Sequence, residues 1–526
     1  MKRLVALSLP AVAAVTLAAC GSGGSSSTTT SGNADGGSTP STAAETTAAP
    51  AAGGGTLTVG AASGIPQLNP VLKGTAFEEA LFPLLWNGLS RLSPDGTVEP
   101  DLATRWTPSA DSRRWTFELR EGVRFSNGKP LTANDVVETL RYYQDPDTAT
   151  QLKTALEPVK SVTASGRTSV VFTLSRANVL LPEVLVPVKI VDVDSLRTID
   201  REPAVTGPFT VAEFVPGDHV YLRRNPDYWG DPAPLDEIRL VKAADSTAAV
   251  TSLRSGDLDA LWSVPSSDIP QLRNEPELSI VEPDVTGVYV SWEMDLSSPP
   301  FDDLRARQAL AYATDREAIF KAAYYDQGLV APTNTPLADN SPWFAEGMTD
   351  YSYDIDKARD LFAQAGVREL TWWGVAGQYP EWNTSGQILQ ASLKKAGVDL
   401  KIENRELSSW PAKFYPAGRR YPGLVVPNFQ SFATDPYFQL SFLLRGRCEC
   451  NWDSPEFSDL FDEAVATADR DARKAVWDRA QRLINEQVPI IVPVQTTVAT
   501  ATQKDVTGVW VEAGGLPHFE SAGFSE

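Results

Sequence analysis

His219 and His518 are the chain's only imidazoles, so a Ser-His-Asp relay or a histidine-based metal centre would have to use one of them. His219 stands in Gly217-Asp218-His219-Val220, the edge of a turn entering a strand. His518 lies in Pro517-His518-Phe519 near the C-terminus. Structural or solvated roles suit both. No Gly-x-Ser-x-Gly elbow and no Gly-x-x-x-x-Gly-Lys-Ser/Thr loop occurs. Paired carboxylates are too abundant in so acidic a chain to be diagnostic. These residues point to no catalytic site, no metal and no cofactor.

Aromatic residues offer holding rather than chemistry. Seven tryptophans lie between Trp262 and Trp410, with Phe429 and Phe432 nearby. Solute clefts combine aromatic walls with a few placed polar groups, which makes Trp372, Trp373, Trp382, Trp410, Phe429 and Phe432 the candidate ligand-binding residues. Core packing is the commoner fate of any single tryptophan. Trp372 and Trp373 are adjacent, so on a strand only one can face a given side. Cys448-Glu449-Cys450 is a possible disulfide in an oxidising compartment, though its ring is tight. Free thiols rank next, and half of a metal site last, because nothing supplies the other ligands.

The elements that must position these residues exceed one ordinary core. A chain of 526 residues calls for two or three domains. Apolar residues at 42% and charged residues at 21% give a globular balance. Lys plus Arg total 46 against 67 Asp plus Glu, a formal charge of -21. Such a polyanion repels phosphate backbones, so nucleic acid is not an expected partner.

Lys2 and Arg3 precede a short apolar run, Leu4 to Ala19, with the layout of a signal peptide and too short for a mature bilayer span. Leu17-Ala18-Ala19-Cys20 resembles the lipobox of bacterial lipoproteins. That resemblance implies that Cys20 is diacylated and becomes the first mature residue; the alternative is ordinary secretion with an incidental cysteine. Stable attachment would need two or three acyl chains. Residues 21–55, almost entirely Gly, Ser, Thr, Ala and Pro, cannot bury enough apolar surface to order themselves. They read as a tether with a mean span of roughly 30 Å. The folded part is thus expected at the outer face of the cytoplasmic membrane, lipid-anchored.

Thr56-Leu57-Thr58-Val59 alternates as a strand, and another ends at Glu118-Leu119-Arg120. Ser126-Asn127-Gly128 marks a turn, and Thr132 to Asp135 a capping-box helix start. A helix after Asp245-Ser246 should stop at Gly256, before an apolar strand Leu258–Val264. Helical stripes follow at Ala306/Ala309/Leu310/Ala313, Ala358/Leu361/Phe362/Ala365 and Phe457/Leu460/Phe461/Ala464. Gly366 and Gly397 fall where helices should end. Strand character returns at Ile490–Val494 and Val506–Val511. A chain that opens and closes with strands allows both ends to share one discontinuous sheet domain.

Five stretches resemble the family 5 extracellular solute-binding proteins, the peptide- and nickel-binding components of ABC importers. They are Gly96–Trp106; Trp115–Val136; Thr206-Gly207-Pro208-Phe209 with Asn225–Gly230 and Ser255–Asp259; Pro300–Asp303 with Arg307–Arg316; and Ala358–Gly366. They lie in family order over essentially the whole mature chain, and most are turn and packing motifs. The resemblance implies an α/β, two-lobed periplasmic-binding-protein-like fold of type II, the large variant with an extra domain in the first lobe. The implied layout is signal peptide 1–19, lipidated Cys20 and tether to 55, and first lobe 56–86, 206–284 and 491–526. The extra domain is then 87–205 and the second lobe 285–490.

In peptide-binding members, a Trp-x-x-Asp sequence three residues before an acidic-Pro pair gives a carboxylate for the peptide's α-ammonium, since a buried ammonium must be paired. The matching segment here runs Phe429-Gln430-Ser431-Phe432-Ala433-Thr434-Asp435-Pro436. Phe432 occupies the carboxylate position. The resemblance still implies capture of a small solute, foremost an oligopeptide, by lobe closure and delivery to permease and ATPase subunits, by a monomeric protein. An oligosaccharide, a metal chelate or a sensing role are the alternatives; an enzyme is disfavoured.

Overall fold

The structure, a computed structural model, describes residues 54–72, 76–375, 379–406, 420–431, 435–445, 447–448 and 450–525. Its first lobe is built on a seven-stranded mixed sheet. Edge to edge the strands are Leu278–Val281, Thr500–Gln503, Ala260–Leu261, Thr56–Ala61, Glu237–Lys242, His219–Arg224 and Phe209–Val215. Thr56–Ala61 is central and parallel to both neighbours. Strands from both ends of the chain therefore share one sheet.

Leu57 and Val59, fully buried, share a core with Phe117 and Phe172. Those phenylalanines belong to a four-stranded antiparallel sheet, Ala103–Pro108, Arg114–Leu119, Ser169–Leu174 and Val159–Ala164, which thereby packs onto the first lobe. Helix Ala133–Gln144 starts where its capping residues require: the Asp135 carboxylate accepts from both the N–H and the hydroxyl of Thr132 at 2.8 Å.

The second lobe carries a six-stranded sheet ordered Leu329–Val330, Val494–Thr496, Val288–Glu293, Leu424–Ser431, Glu369–Val375, Asp399–Arg405. Alternation along Val288–Glu293 sends Val290 and Trp292 into one core and Tyr289 into another, so helices cover both faces. The predicted stripe on helix Leu304–Ala313 is fully buried at Ala306, Ala309, Leu310 and Ala313. Gly366 and Gly397 adopt φ of +71° and +79° just past their helices, the left-handed turn that glycine makes without steric cost. Helix Ser246–Ser255 is capped by Asp245, which accepts from the Ala248 N–H at 2.8 Å, and it ends at Gly256.

Three strand expectations change. Leu258–Val264 pairs as a strand only at Ala260–Leu261. Val506–Val511 splits into Val506–Thr507 and Trp510–Val511 at Gly508, whose φ is +72° and whose α-carbon leaves no room for a side chain against the Ser521 carbonyl. Val494–Thr496 pairs with Val288–Tyr289, so the chain from 491 to 496 lies in the second lobe rather than the first. The strands therefore pass between lobes at 282–287 and at 497–499.

Candidate functional site

Strand direction locates the cleft. In the second lobe Glu369–Val375, Asp399–Arg405 and Leu424–Ser431 are mutually parallel, and the last residue, Ser431, pairs with Val288 beside the first crossing. In the first lobe Leu261 pairs with Ala501, beside the second crossing. The carboxyl ends of parallel strands in both lobes thus face the crossings, and such ends are where open α/β sheets bind ligands.

A C-terminal hairpin, Trp510–Val511 with Pro517–His518, braces that region. The Gly287 N–H donates to the Ala513 carbonyl at 2.9 Å, and a Cβ on Gly515 would stand 2.7 Å from Val498 Cβ. The hairpin therefore touches both crossings. His518 is half-buried between Glu512 and Glu520, 3.5 and 3.0 Å away. Burial opposes its charge, but Glu520 and Glu512 prevail and lift its pKa to about 9. It is a structural imidazolium. His219 likewise sits at a strand edge, stacked on Tyr221 and 2.8 Å from Asp218.

Trp372 is a core residue, a correction to its candidacy as a cleft wall. It is fully buried, edge-on to Trp292 at 5.0 Å, and a Cβ on Gly386 would stand only 2.7 Å from its Nε1. Alternation puts Trp373 on the opposite face. There the Arg405 guanidinium covers its ring at 4.5 Å, and its Nε1 donates to Glu403 at 3.3 Å. Trp382 stacks on Tyr379 with centroids 4.2 Å apart. Trp373, Trp382, Val375, Tyr421 and Val426 form a small apolar cluster apart from the main cores. Phe429 is on strand Leu424–Ser431, its backbone opposite Val290. Trp410, Phe432 and Cys20 lie outside the described residues. A disulfide joins Cys448 to Cys450, both buried against Trp452, and the Cys450 carbonyl accepts from the Leu296 N–H.

Trp262 is a cleft candidate absent from the aromatic set singled out above. It follows Ala260–Leu261 at the crossing, meets Phe77 edge-on at 5.8 Å, and its buried Nε1 has no hydrogen-bond partner among the described residues. The sequence signal is its place within the expected apolar strand Leu258–Val264. Across the lobes, the Val179 N–H donates to the Val465 carbonyl at 2.7 Å, and Arg176 lies 3.5 Å from Asp462. No group of three or more metal-ligating side chains occurs among the described residues.

The model for bacterial extracellular solute-binding proteins, family 5, matches residues 97–448. The chain belongs to this family. As a family 5 protein it is a binding protein, not an enzyme, and the family is extracellular. The dipeptide-binding protein of Escherichia coli (strain K12) is 26% identical over 88% of this chain and 94% of that protein. Heme-binding protein A of Haemophilus influenzae is 26% identical over 82% and 85%. The periplasmic binding protein DppA from Helicobacter pylori, solved with the peptide STSA, superposes with a TM-score of 0.78 at 21% identity, covering 90% of this chain and 98% of that one. This neighbour shares the two-lobed fold.

Proposed function

We propose that this family 5 protein captures a short peptide between its lobes and delivers it, chemically unchanged, to the permease and ATPase subunits of an ABC importer. The observation that carries the reading is the convergence of parallel-strand carboxyl ends from both lobes on the two crossings. Solute contacts made by both lobes favour closure only because they are lost on opening. Relatives named for dipeptide, di/tripeptide and oligopeptide binding support a peptide guest. Trp262 and the cluster around Trp373 and Trp382 supply the walls, with Trp410, Phe429 and Phe432 as further candidates. With Phe432 at the usual ammonium position, free N-termini are not held there.

A metal chelate is the second reading, favoured by the relative named for heme. Cys20 is the lipid anchor in this proposal, residues 21–55 are the tether, and the protein acts as a monomer at the outer face of the cytoplasmic membrane. The test is a thermal-shift panel of free and N-acetylated di- to tetrapeptides, oligosaccharides and heme, since a guest selective for the native state raises apparent stability. Stabilisation by peptides supports the proposal; stabilisation by heme alone replaces it with the second reading.

A further inference from the structure

Glu183 and Asp435 meet only where the lobes meet. Glu183 is on the short helix Leu181–Val184, beyond the four-stranded sheet of the first lobe; Asp435 caps helix Pro436–Ser441 of the second. The Asp435 N–H donates to Glu183 Oε1 at 3.2 Å. The two residues retain 9% and 4% exposure, so the contact is closed to water. Asp435 has partners for its charge: its Oδ1 accepts from the Tyr437 N–H at 3.0 Å, and its Oδ2 lies 3.7 Å from Arg473 Nε. Glu183 has that single backbone donor and forms no ion pair among the described residues. The surrounding charged and titratable groups are Arg470 and Arg473 on helix Arg470–Gln487, Tyr437, Arg447 and Asp462 in the second lobe, and Glu157 and Arg176 in the first.

We propose that closing the lobes transfers a proton from solvent to the Glu183 carboxylate, so that closure, and with it solute capture, strengthens as pH falls. The proton comes from bulk water or buffer, and no other bond changes. Two hydrated carboxylates in the open form become a neutral acid beside an Arg-supported carboxylate in the closed one. Burial first, then the charge of Asp435, pushes Glu183 well above the usual carboxylate range. Burial lifts Asp435 to about 6, against the Tyr437 N–H and Arg473. The closed form therefore binds more protons. Its advantage is complete below the ordinary carboxylate range and is lost as pH rises through the closed-state value. One coupled proton changes the closed-to-open ratio by at most about tenfold per pH unit.

This inference rests on the reading that the lobes open and close around a solute. X-ray scattering of wild type and Glu183→Gln at about pH 5.5 and about pH 8, without and with trialanine, tests it. Expected is a wild type more compact at the lower pH and a variant with a clearly smaller pH response, since only Asp435 is left to take up a proton on closure. Infrared spectra of wild type should also show a larger protonated-carboxyl band at low pH than the variant, and growth of that band with compaction is a readout that stands on wild type if the variant folds poorly. Compaction by trialanine that is independent of pH, or an equal pH response in both proteins, overturns the proton coupling while leaving capture intact. A profile moved by neither pH nor trialanine overturns the coupling and counts against lobe closure itself.

Discussion

His518 lies flat on Trp510, their rings 3.8 Å apart and 5° from parallel. The stack holds the imidazolium between Glu512 and Glu520 on the hairpin that braces both crossings. Because its pKa is raised from 6.5 to about 9, the stabilisation is complete below about pH 6.5 and disappears as pH climbs through about 9. It amounts to about 3–4 kcal/mol at most, and the matching depression of Glu520 is the same interaction, not an addition. Melting temperature measured from neutral to alkaline pH should therefore fall more steeply for wild type than for His518→Gln.

Trp372 and Trp262 should separate stability from binding. Trp372→Ala empties a core position and should cost about 3–5 kcal/mol in denaturant unfolding. Trp262→Phe keeps an aromatic ring but removes the pyrrole half of the indole with its Nε1, so stability should change by about 1 kcal/mol while peptide affinity drops about fivefold. Unchanged affinity would remove Trp262 from the cleft.

A carboxylate at residue 432, the proposed counterpart of the ammonium position, should change guest preference. Phe432→Asp is expected to favour free over N-acetylated peptides relative to wild type, by about tenfold if the ammonium is buried against it. Calorimetry with matched peptide pairs measures this. A ratio equal to that of wild type would mean that residue 432 does not meet the peptide terminus.

Cys20→Ser should move the protein from the membrane fraction to the medium or the periplasm if, as proposed, acyl chains on Cys20 are its anchor. Fractionation of expressing cells reads the result. Retention of the variant at the membrane would remove Cys20 as the anchor.

Local chemistry was legible from sequence wherever one residue decides the backbone. Asp245, Gly256, Gly366 and Gly397 marked helix ends, and the alanine stripe of Leu304–Ala313 gave its buried face. The family's turn motifs gave the fold. Sequence could not decide between Trp372 and Trp373, since alternation says that they face opposite ways but not which way is inward. Nor could it reveal that Gly515 packs on Val498, that His518 is ionised, or that Glu183 meets Asp435. Each depends on contacts between segments far apart in the chain. Val494–Thr496 was assigned to the wrong lobe for the same reason: its hydrophobic pattern fits either sheet, and only pairing with Val288–Tyr289 fixes it.

Thr56–Ala61 is the central strand of the first sheet, yet it precedes every partner in synthesis. Glu237–Lys242 and Ala260–Leu261 must be made before it can pair, and Thr500–Gln503, which pairs Ala260–Leu261 on its other side, emerges almost last. The second sheet needs only strands between Val288 and Thr496. The lobe begun first is therefore the one finished last. Such long-range pairing slows folding, and a nascent chain that stays unpaired in this way suits export as an extended thread.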